Sequence, residues 1–283
     1  MRLFRRPALP ESESFLHGTR RIAWREYGAG PRAIVLTHGL LMDSRMFTAL
    51  APALAARGNR VIAMDMLGHG DSGQPREMTE YSMTQFGQDV LALLEHLKID
   101  QAVLGGTSLG ANVALEAAIA SPDKVRALVL EMPVLEKAIP AAAAFFVPLA
   151  FALRLNQGGM RLLSKLANAI PRTHFVADIL IDFIRRDPGS SLAVLDGLTF
   201  GRIAPPRDQR LRINKPTLVI GHPADPIHPF GDADATAREL PAGRLLKAKS
   251  IYEWRVRPER LTRELGDFLD EVWSAEIAPS AVH

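Results

Sequence analysis

The feature that most constrains the fold is the stretch from Val103 to Asn112, which contains the pattern Gly-x-Ser-x-Gly. An apolar run reaches Gly106, an alanine-rich segment with helical spacing follows Gly110, and Ser108 lies between the two glycines. Because glycine has no Cβ, both glycines allow a strand to turn sharply into a helix. The first N–H groups of such a helix favour negative charge beside the serine. The stretch predicts a buried strand, a sharp turn with a nucleophilic serine, and a helix; a tight turn with an incidental serine is the alternative.

Short apolar segments alternate with segments of helical spacing along most of the chain. The predicted strands are 33–37, 61–65, 102–107, 127–131, 217–221 and 244–248, after a hairpin at 15–27, and the main predicted helices are 43–57, 82–98, 110–120 and 258–273. This alternation predicts an α/β fold with a mostly parallel central sheet and helices on both faces. The carboxyl ends of parallel strands share one edge of the sheet, so the polar side chains there should lie together. They are His38, Asp65, Ser108 and Glu131.

The alternation is interrupted by a long segment in which only helical patterns occur. We therefore predict a core of residues 14–132 and 213–275, with a helical lid of residues 133–212 inserted between its two parts. Residues 1–13 are basic and contain proline, so we expect them to form an N-terminal arm. The lid follows a strand end, which places it over the edge of the sheet that carries Ser108.

Composition limits the possible classes of function. The chain has 34 basic and 31 acidic residues, a balance too even to indicate nucleic-acid binding. It has no cysteine, which excludes disulfides, thiolate catalysis and cysteine-bound metals. No apolar segment follows the N-terminal arginines, so we expect a cytoplasmic protein. The apolar segment 138–155 contains two prolines and is short for a bilayer, so we expect a cap helix and no stable membrane insertion.

Four segments, in this order, resemble the α/β-hydrolase family in its serine-esterase-like branch. They are residues 37–40, 65–72, 106–110 and 221–226. The similarity covers about residues 15–273 and implies an α/β-hydrolase fold with an inserted lid. It also implies that the backbone N–H groups of Leu40 and Leu109 form the oxyanion hole. The family's catalytic acid commonly follows the strand after the lid, which corresponds to Asp225.

The histidine that the family carries just after its last strand is missing from this sequence. We predict that His228 replaces it as general base, because it follows Asp225 by three residues and keeps the order Ser, Asp, His. Two alternatives stay open: His222 as the base, or Glu131 as the acid in place of Asp225. His174, in the lid, is a more remote choice of base.

Aromatic and apolar residues of the lid and of the segment after the last strand predict a ligand pocket. The candidates are Phe145 and Phe146 in the lid, Tyr252 and Trp254 where the missing histidine would be, and His38 beside the oxyanion loop. If the fold has lost hydrolysis together with that histidine, Ser108 would hydrogen-bond a small ligand in this pocket instead.

We therefore expect a serine hydrolase whose partner is a small apolar ester or related acyl compound. The alternative is a non-catalytic protein that binds a small ligand on the same fold. No zinc-type histidine spacing and no phosphate-binding glycine loop occur, so we expect no metal and no cofactor. The haloalkane and epoxide branches of the family use aspartate, so a serine at the turn does not fit them. The oligomeric state stays open, with a dimer as one alternative.

Overall fold

An eight-stranded sheet forms the centre of the protein. The computed structural model describes residues 9–170, 181, 182, 184–250 and 253–275. The strands are β1 (Ser12–His17), β2 (Arg20–Tyr27), β3 (Ala33–Thr37), β4 (Arg60–Asp65), β5 (Ala102–Thr107), β6 (Val125–Glu131), β7 (Thr217–Gly221) and β8 (Gly243–Lys247). Their spatial order is β1-β2-β4-β3-β5-β6-β7-β8. The pairs β1–β2 and β2–β4 are antiparallel, whereas all pairs from β4 to β8 are parallel. The predicted hairpin and mostly parallel sheet are confirmed.

Helices cover both faces of this sheet and one of its edges. The described helices are α1 (Leu50–Ala55), α2 (Met83–His96), α3 (Leu109–Ala120), α4 (Ile139–Leu155), α5 (Gln157–Asn168), α6 (Pro188–Thr199), α7 (Arg207–Arg210), α8 (Phe230–Glu239), α9 (Glu253–Val256) and α10 (Glu259–Ser274). Short 3-10 turns lie at Ser44–Phe47, Met78–Glu80 and Pro122–Lys124.

The core consists of two apolar layers, one on each face of the sheet. Side chains alternate between the two faces of a strand, so consecutive residues of a buried strand enter different layers. In β4, Ile62 and Met64 pack in the layer with α2, α3 and α8, whereas Val61 and Ala63 pack in the layer with α1 and α10. Burial on both faces explains why the central strands are almost wholly apolar, and their parallel pairing places their carboxyl ends at one edge of the sheet.

The described residues between β6 and β7 form helices α4 to α7 and contain no strand. We call α4, α5 and α6 the cap. Two buried polar side chains attach the start of the cap to the core. Asn112 of α3 donates to the carbonyl oxygens of Val134 and Ile203 at 2.7 and 2.8 Å, and Asp232 of α8 accepts from the N–H groups of Leu135 and Ala138 at 3.0 and 2.9 Å. The cap therefore begins at a fixed position above the end of β6.

Two predicted boundaries differ from the structure. β1 begins at Ser12, so residues 12 and 13 pair with β2 and do not belong to an arm. The predicted helix 43–57 is a 3-10 turn followed by α1, which begins at Leu50. Pro52 explains the break, because proline has no N–H to continue a helix from the preceding turn and its ring clashes with the carbonyl four residues earlier.

No single helix of the described residues is both long and apolar enough to cross a membrane. Helices α4 and α5 pass such a test only when taken together, and the chain bends by 101° at the break between them.

Candidate active site

Ser108 lies on the sharp turn between β5 and α3, with φ 55° and ψ −113°. This is a strained conformation for a residue with a Cβ, and it is typical of a serine held out at a strand-to-helix turn. The Ser108 N–H donates to the carbonyl oxygen of Glu131 at 2.8 Å, which ties the turn to β6. A Cβ on Gly106 would lie 2.3 Å from the carbonyl carbon of Gly110, so only glycine fits there. The turn predicted from the sequence is confirmed.

His228 is the histidine that reaches the serine. Its Nε2 lies 2.8 Å from Ser108 Oγ, and its Nδ1 lies 3.1 Å from Asp225 Oδ2. An ionised carboxylate can only accept, so the proton of a neutral His228 is on Nδ1 and points to Asp225. That leaves Nε2 free to accept the hydroxyl proton of Ser108. The structure thus brings together the three residues that the sequence proposed as nucleophile, base and acid.

Asp225 and His228 lie in the loop between β7 and α8, and the carboxylate of Asp225 organises this loop. Its Oδ1 accepts from the backbone N–H groups of Ile227 and His228, both at 2.8 Å. Burial alone would raise the pKa of Asp225, but the hydrogen bonds from His228 and the loop outweigh it and hold the pKa below its ordinary value. The carboxyl group is therefore ionised at neutral pH, as an acceptor for the imidazole requires.

A cavity of about 210 Å³ opens beside Ser108 and His228. Its described lining is Leu40, Met83, Ser108, Leu109, Asn112, Val134, Ile139, Ala142, Ala143, Phe146, Val147, Leu195, Leu198, Thr199, Ile203, Ile227 and His228. Asn112 is engaged with the cap, and Thr199 Oγ1 donates to the Leu195 carbonyl at 2.7 Å. The polar groups that this lining offers to a ligand are thus concentrated at Ser108 and His228.

Leu40 and Leu109, the two predicted oxyanion-hole residues, both line this cavity. Leu109 is the first residue of α3, so its N–H is one of the first four that have no partner within the helix. The loop that carries Leu40 has a defined shape, because Leu41 is at φ 59° and Met42 N–H donates to the Gly39 carbonyl at 3.1 Å.

His38 and His69 are buried supports of the loop of residues 38–42, which carries Leu40 and which we call the oxyanion loop after its predicted role. His38 Nε2 accepts from the Met66 N–H at 3.0 Å and its Nδ1 lies 2.8 Å from the Gly39 carbonyl. His69 Nε2 accepts from the Leu41 N–H at 3.2 Å. Each imidazole has one ring nitrogen that must accept, so both are neutral. Burial lowers the pKa of His38 to about 4 and holds the pKa of His69 well below its ordinary value.

Arg186 is a functional candidate that the sequence reasoning missed. Its guanidinium is buried and donates to the carbonyl oxygens of Met42 at 2.5 Å and Gly68 at 3.1 Å. It therefore links the residue before α6 to the oxyanion loop and to the loop after β4. Burial lowers the pKa of Arg186 to about 10, although the nearby carboxylates of Asp43 and Asp65 act in the opposite direction. A single arginine in the lid segment carries no sequence signal for this role.

The two alternative residues, Glu131 and His222, form a separate buried pair. His222 Nε2 lies 3.0 Å from Glu131 Oε1, and its Nδ1 lies 3.0 Å from the Ser250 carbonyl. Thr107 Oγ1 donates to Glu131 Oε2 at 2.5 Å. The pair thus connects the carboxyl ends of β5, β6 and β7 behind the turn that carries Ser108, while the Ser108 hydroxyl donates to His228 Nε2.

The predicted pocket residues lie in different places. Phe146 lines the cavity, but Phe145 is 56% exposed and contacts Phe146 from outside with ring centroids 5.1 Å apart. His38 is buried within its own loop and does not line the cavity. Trp254 packs in the core layer with α10, and its Nε1 donates to Thr262 Oγ1 at 3.2 Å. Tyr252 lies outside the described residues, as does His174. The assignments of Phe145, His38 and Trp254 to the pocket were therefore wrong.

Among the described residues, no group of three or more His, Asp or Glu side chains could hold a metal ion. The chemistry that this site offers lies in the serine, the imidazole and the carboxylate already described.

The family model described as alpha/beta hydrolase fold matches residues 32–242. The chain belongs to the α/β-hydrolase fold family. The predicted family and fold class are confirmed. Solved structures agree: a hydrolase from Pseudomonas aeruginosa has a TM-score of 0.75 at 22% identity and covers 91% of this chain and 98% of its own. The enol-lactonase from Burkholderia xenovorans has a TM-score of 0.75 at 23% identity, covering 91% of this chain and 100% of its own.

Curated relatives of this α/β-hydrolase match over shorter stretches. The bifunctional epoxide hydrolase 2 of Sus scrofa is 34% identical over 138 residues, which are 45% of this chain and 25% of that protein. The dihydrolipoyllysine-residue acetyltransferase component of the acetoin cleaving system of Pseudomonas putida is 40% identical over 114 residues, which are 40% of this chain and 30% of that protein. The chain thus spans less than a third of the length of these relatives.

Proposed function

We propose that this α/β-hydrolase is a serine hydrolase that cleaves a small apolar ester or a related acyl compound. The observation that carries the proposal is the 2.8 Å distance between Ser108 Oγ and His228 Nε2, with Asp225 3.1 Å from the other ring nitrogen. A general base must come within hydrogen-bonding distance of the proton that it removes, and this arrangement fulfils that requirement. Relatives and structural neighbours named as epoxide hydrolase and enol-lactonase support a hydrolytic reaction.

The reaction follows from the roles of these groups. Ser108 Oγ attacks the carbonyl carbon while His228 Nε2 takes its proton, and the imidazolium then gives that proton to the leaving alcohol. The N–H groups of Leu40 and Leu109 hold the negative oxygen of the tetrahedral intermediate, and the N-terminus of α3 adds a favourable dipole. A water activated by His228 then attacks the acyl-enzyme, which releases the acid and restores Ser108.

The cavity supports an apolar substrate of limited size. Its volume is about 210 Å³. A cavity of about 150 Å³ holds one benzene ring, whereas drug-sized ligands occupy sites of about 300–1,000 Å³. Beyond Ser108 and His228 the lining is apolar apart from Asn112 and Thr199, whose side chains donate to backbone carbonyl oxygens. We therefore propose an acyl or alcohol group of a few carbons, or one ring, without a charged substituent.

Ester cleavage fits the serine better than the epoxide opening named for the Sus scrofa relative. If a serine opened an epoxide, the product would be an ether between Ser108 and the substrate. An ether has no carbonyl for water to attack, so the enzyme would not be regenerated. An acyl group on Ser108, in contrast, is an ester and can be hydrolysed.

The test is turnover of p-nitrophenyl acetate, butyrate and octanoate by the wild type and by Ser108→Ala, His228→Ala and, as a control, His96→Ala. His96 is exposed on α2, so its replacement should not change turnover. We expect Ser108→Ala and His228→Ala each to lower kcat by about a thousandfold or more.

Two results would change the proposal. If His228→Ala retains full turnover, His228 is not the base. If the wild type neither turns over any ester nor reacts with a fluorophosphonate, the protein is a small-ligand-binding member of the fold.

A further inference from the structure

The cap carries an unusual concentration of exposed apolar side chains. Nine of the fifteen large hydrophobic residues that are exposed in the described part of the chain lie in the 32 residues from 139 to 170. They are Ile139, Phe145, Val147, Phe151, Leu155, Leu162, Leu163, Leu166 and Ile170, which together we call the cap apolar face. Scattered single hydrophobic residues need no explanation on a protein surface, but a clustered set marks an interaction site.

Helix α5 is oriented opposite to an ordinary surface helix. It is amphipathic, yet Ser164 and Ala167 are its buried residues, while Leu162 and Leu166 are each 60% exposed. An amphipathic helix of a globular protein normally turns its leucines to the core. Ser164 Oγ donates to the Arg185 carbonyl at 2.8 Å, which fixes this orientation. The leucines of α5 thus face away from the protein.

The charged side chains within residues 139–170 all have one sign. Residues 139–170 include Arg154, Arg161 and Lys165 and no acidic residue. Arg154 is neutralised by Asp196 of α6 at 2.8 Å. Arg161 and Lys165 are both exposed on the side of α5 that also presents Leu162. Two copies of this face would bring like charges together, whereas an anionic lipid surface would accept both the leucines and the cations.

The cap apolar face is continuous with the cavity of the candidate active site. Ile139 and Val147 of α4 line the cavity and are also 42% and 57% exposed. These two residues therefore belong both to the cavity lining and to the cap apolar face.

We propose that the cap apolar face docks on an anionic lipid surface, with the leucines of α5 in the interface and Arg161 and Lys165 at the lipid head groups. Docking places the cavity where an apolar ester dissolved in the membrane can enter it. The delivery of substrate rests on the proposed hydrolase function, whereas lipid binding by the cap does not.

The test is co-sedimentation of the full chain with phosphatidylcholine vesicles and with vesicles that also contain phosphatidylglycerol. We expect binding to the anionic vesicles that weakens as salt rises, because exposed charges are screened. Replacing Arg161 and Lys165 by glutamine should lower the partition coefficient about 25-fold, since each cation near the surface contributes about a fivefold effect. Replacing Leu162 and Leu166 by serine should lower it by about tenfold or more.

Matched controls come from exposed residues outside the cap. Leu16 of β1 is 68% exposed and Arg238 of α8 is 79% exposed, so Leu16→Ser and Arg238→Gln should bind vesicles as the wild type does. Ser108→Ala should also bind as the wild type does, which separates lipid docking from hydrolysis. Light scattering after size exclusion reports the oligomeric state of each variant.

Two outcomes overturn the proposal. One is that the wild type does not bind anionic vesicles, or that it binds them and neither the charge replacements nor the leucine replacements weaken the binding. The other is a wild-type dimer that becomes monomeric in Leu162→Ser/Leu166→Ser while lipid binding is lacking, which would make a second copy of this chain the partner of the face.

Discussion

The Asp225 carboxylate holds His228 in two ways, because Oδ1 accepts from the His228 backbone N–H at 2.8 Å and Oδ2 lies 3.1 Å from Nδ1. Asp225 and His228, the proposed acid and base, therefore belong to one loop, three residues apart, and their mutual geometry does not depend on the register of two strands. What the fold must still provide is the approach of this loop to Ser108, and the parallel pairing of β5, β6 and β7 provides it.

Asp225→Asn should reduce turnover by about a thousandfold or more while the protein stays folded. The amide keeps the size of the side chain but can present an N–H to Nδ1, which would favour the tautomer that points its proton at Ser108. The measurement is kcat with p-nitrophenyl butyrate, with the thermal midpoint as the test of folding. A variant with nearly full kcat would mean that Asp225 only shapes the loop.

Glu131→Gln should reduce stability much more than turnover. Both carboxylate oxygens of the buried Glu131 are hydrogen-bonded, one to Thr107 and one to His222, and an amide has only one oxygen to accept with. Leaving a buried polar group unsatisfied costs about 1–3 kcal/mol of unfolding free energy. Because neither Glu131 nor His222 makes the hydrogen bond to Ser108 Oγ, kcat of the folded variant should stay within about threefold of the wild type.

Urea unfolding measures the first quantity and ester turnover at low temperature measures the second. Glu95→Gln, at an exposed position of α2, is the control. A stable Glu131→Gln protein with kcat reduced a hundredfold would instead identify Glu131 as the acid of the site.

The positions of the central strands along the chain were predictable from local patterns, because burial on both faces makes these strands apolar throughout. Gly106 and Gly110 also predicted the sharp turn correctly, because a Cβ at either position would overlap backbone atoms. Such constraints act over a few residues, so a sequence records them directly. The proposal of His228 also depended on local information, its spacing from Asp225.

The cap could not be predicted to the same depth. Phe145 and Phe146 are neighbours, yet one is exposed and the other lines the cavity, because consecutive helix residues point about 100° apart. A pattern shows which residues share a face, but the packing of the cap on the core decides which face turns inward. Arg186 illustrates the same limit, since its partners are two loop carbonyls that are distant in sequence.

His38 should make the protein less stable in acid. Its pKa is about 4 in the folded state against an ordinary value of 6.5, so the unfolded chain binds the proton more tightly. The free energy of unfolding therefore falls as the pH drops from 6.5 to 4, by about 3 kcal/mol for this group. Burial and the Asp43 charge raise the pKa of Asp65 to about 6, and this group acts in the opposite direction.

The His38→Asn variant isolates the histidine, because Asp65 is present in both proteins. The free energy of unfolding of the wild type minus that of the variant should be about 3 kcal/mol smaller at pH 4 than at pH 7. Urea unfolding at several pH values measures this difference. Parallel pH profiles of the wild type and His38→Asn would contradict the neutral, buried state of this imidazole.

Gly110→Ala should disrupt the nucleophile turn, whereas Gly158→Ala should not. A Cβ on Gly110 would lie 2.1 Å from the Thr37 carbonyl oxygen and 2.8 Å from the His38 carbonyl oxygen, both backbone atoms of the oxyanion loop. The clash must push α3 and this loop apart, so we expect a large loss of stability and of turnover. A Cβ on Gly158 of α5 meets no atom within 4 Å, and alanine there should stabilise the helix by about 0.5–1 kcal/mol. Thermal midpoints and kcat of both variants test this contrast, and a Gly110→Ala protein with normal values of both would mean that the turn is wider than the contacts around Gly110 imply.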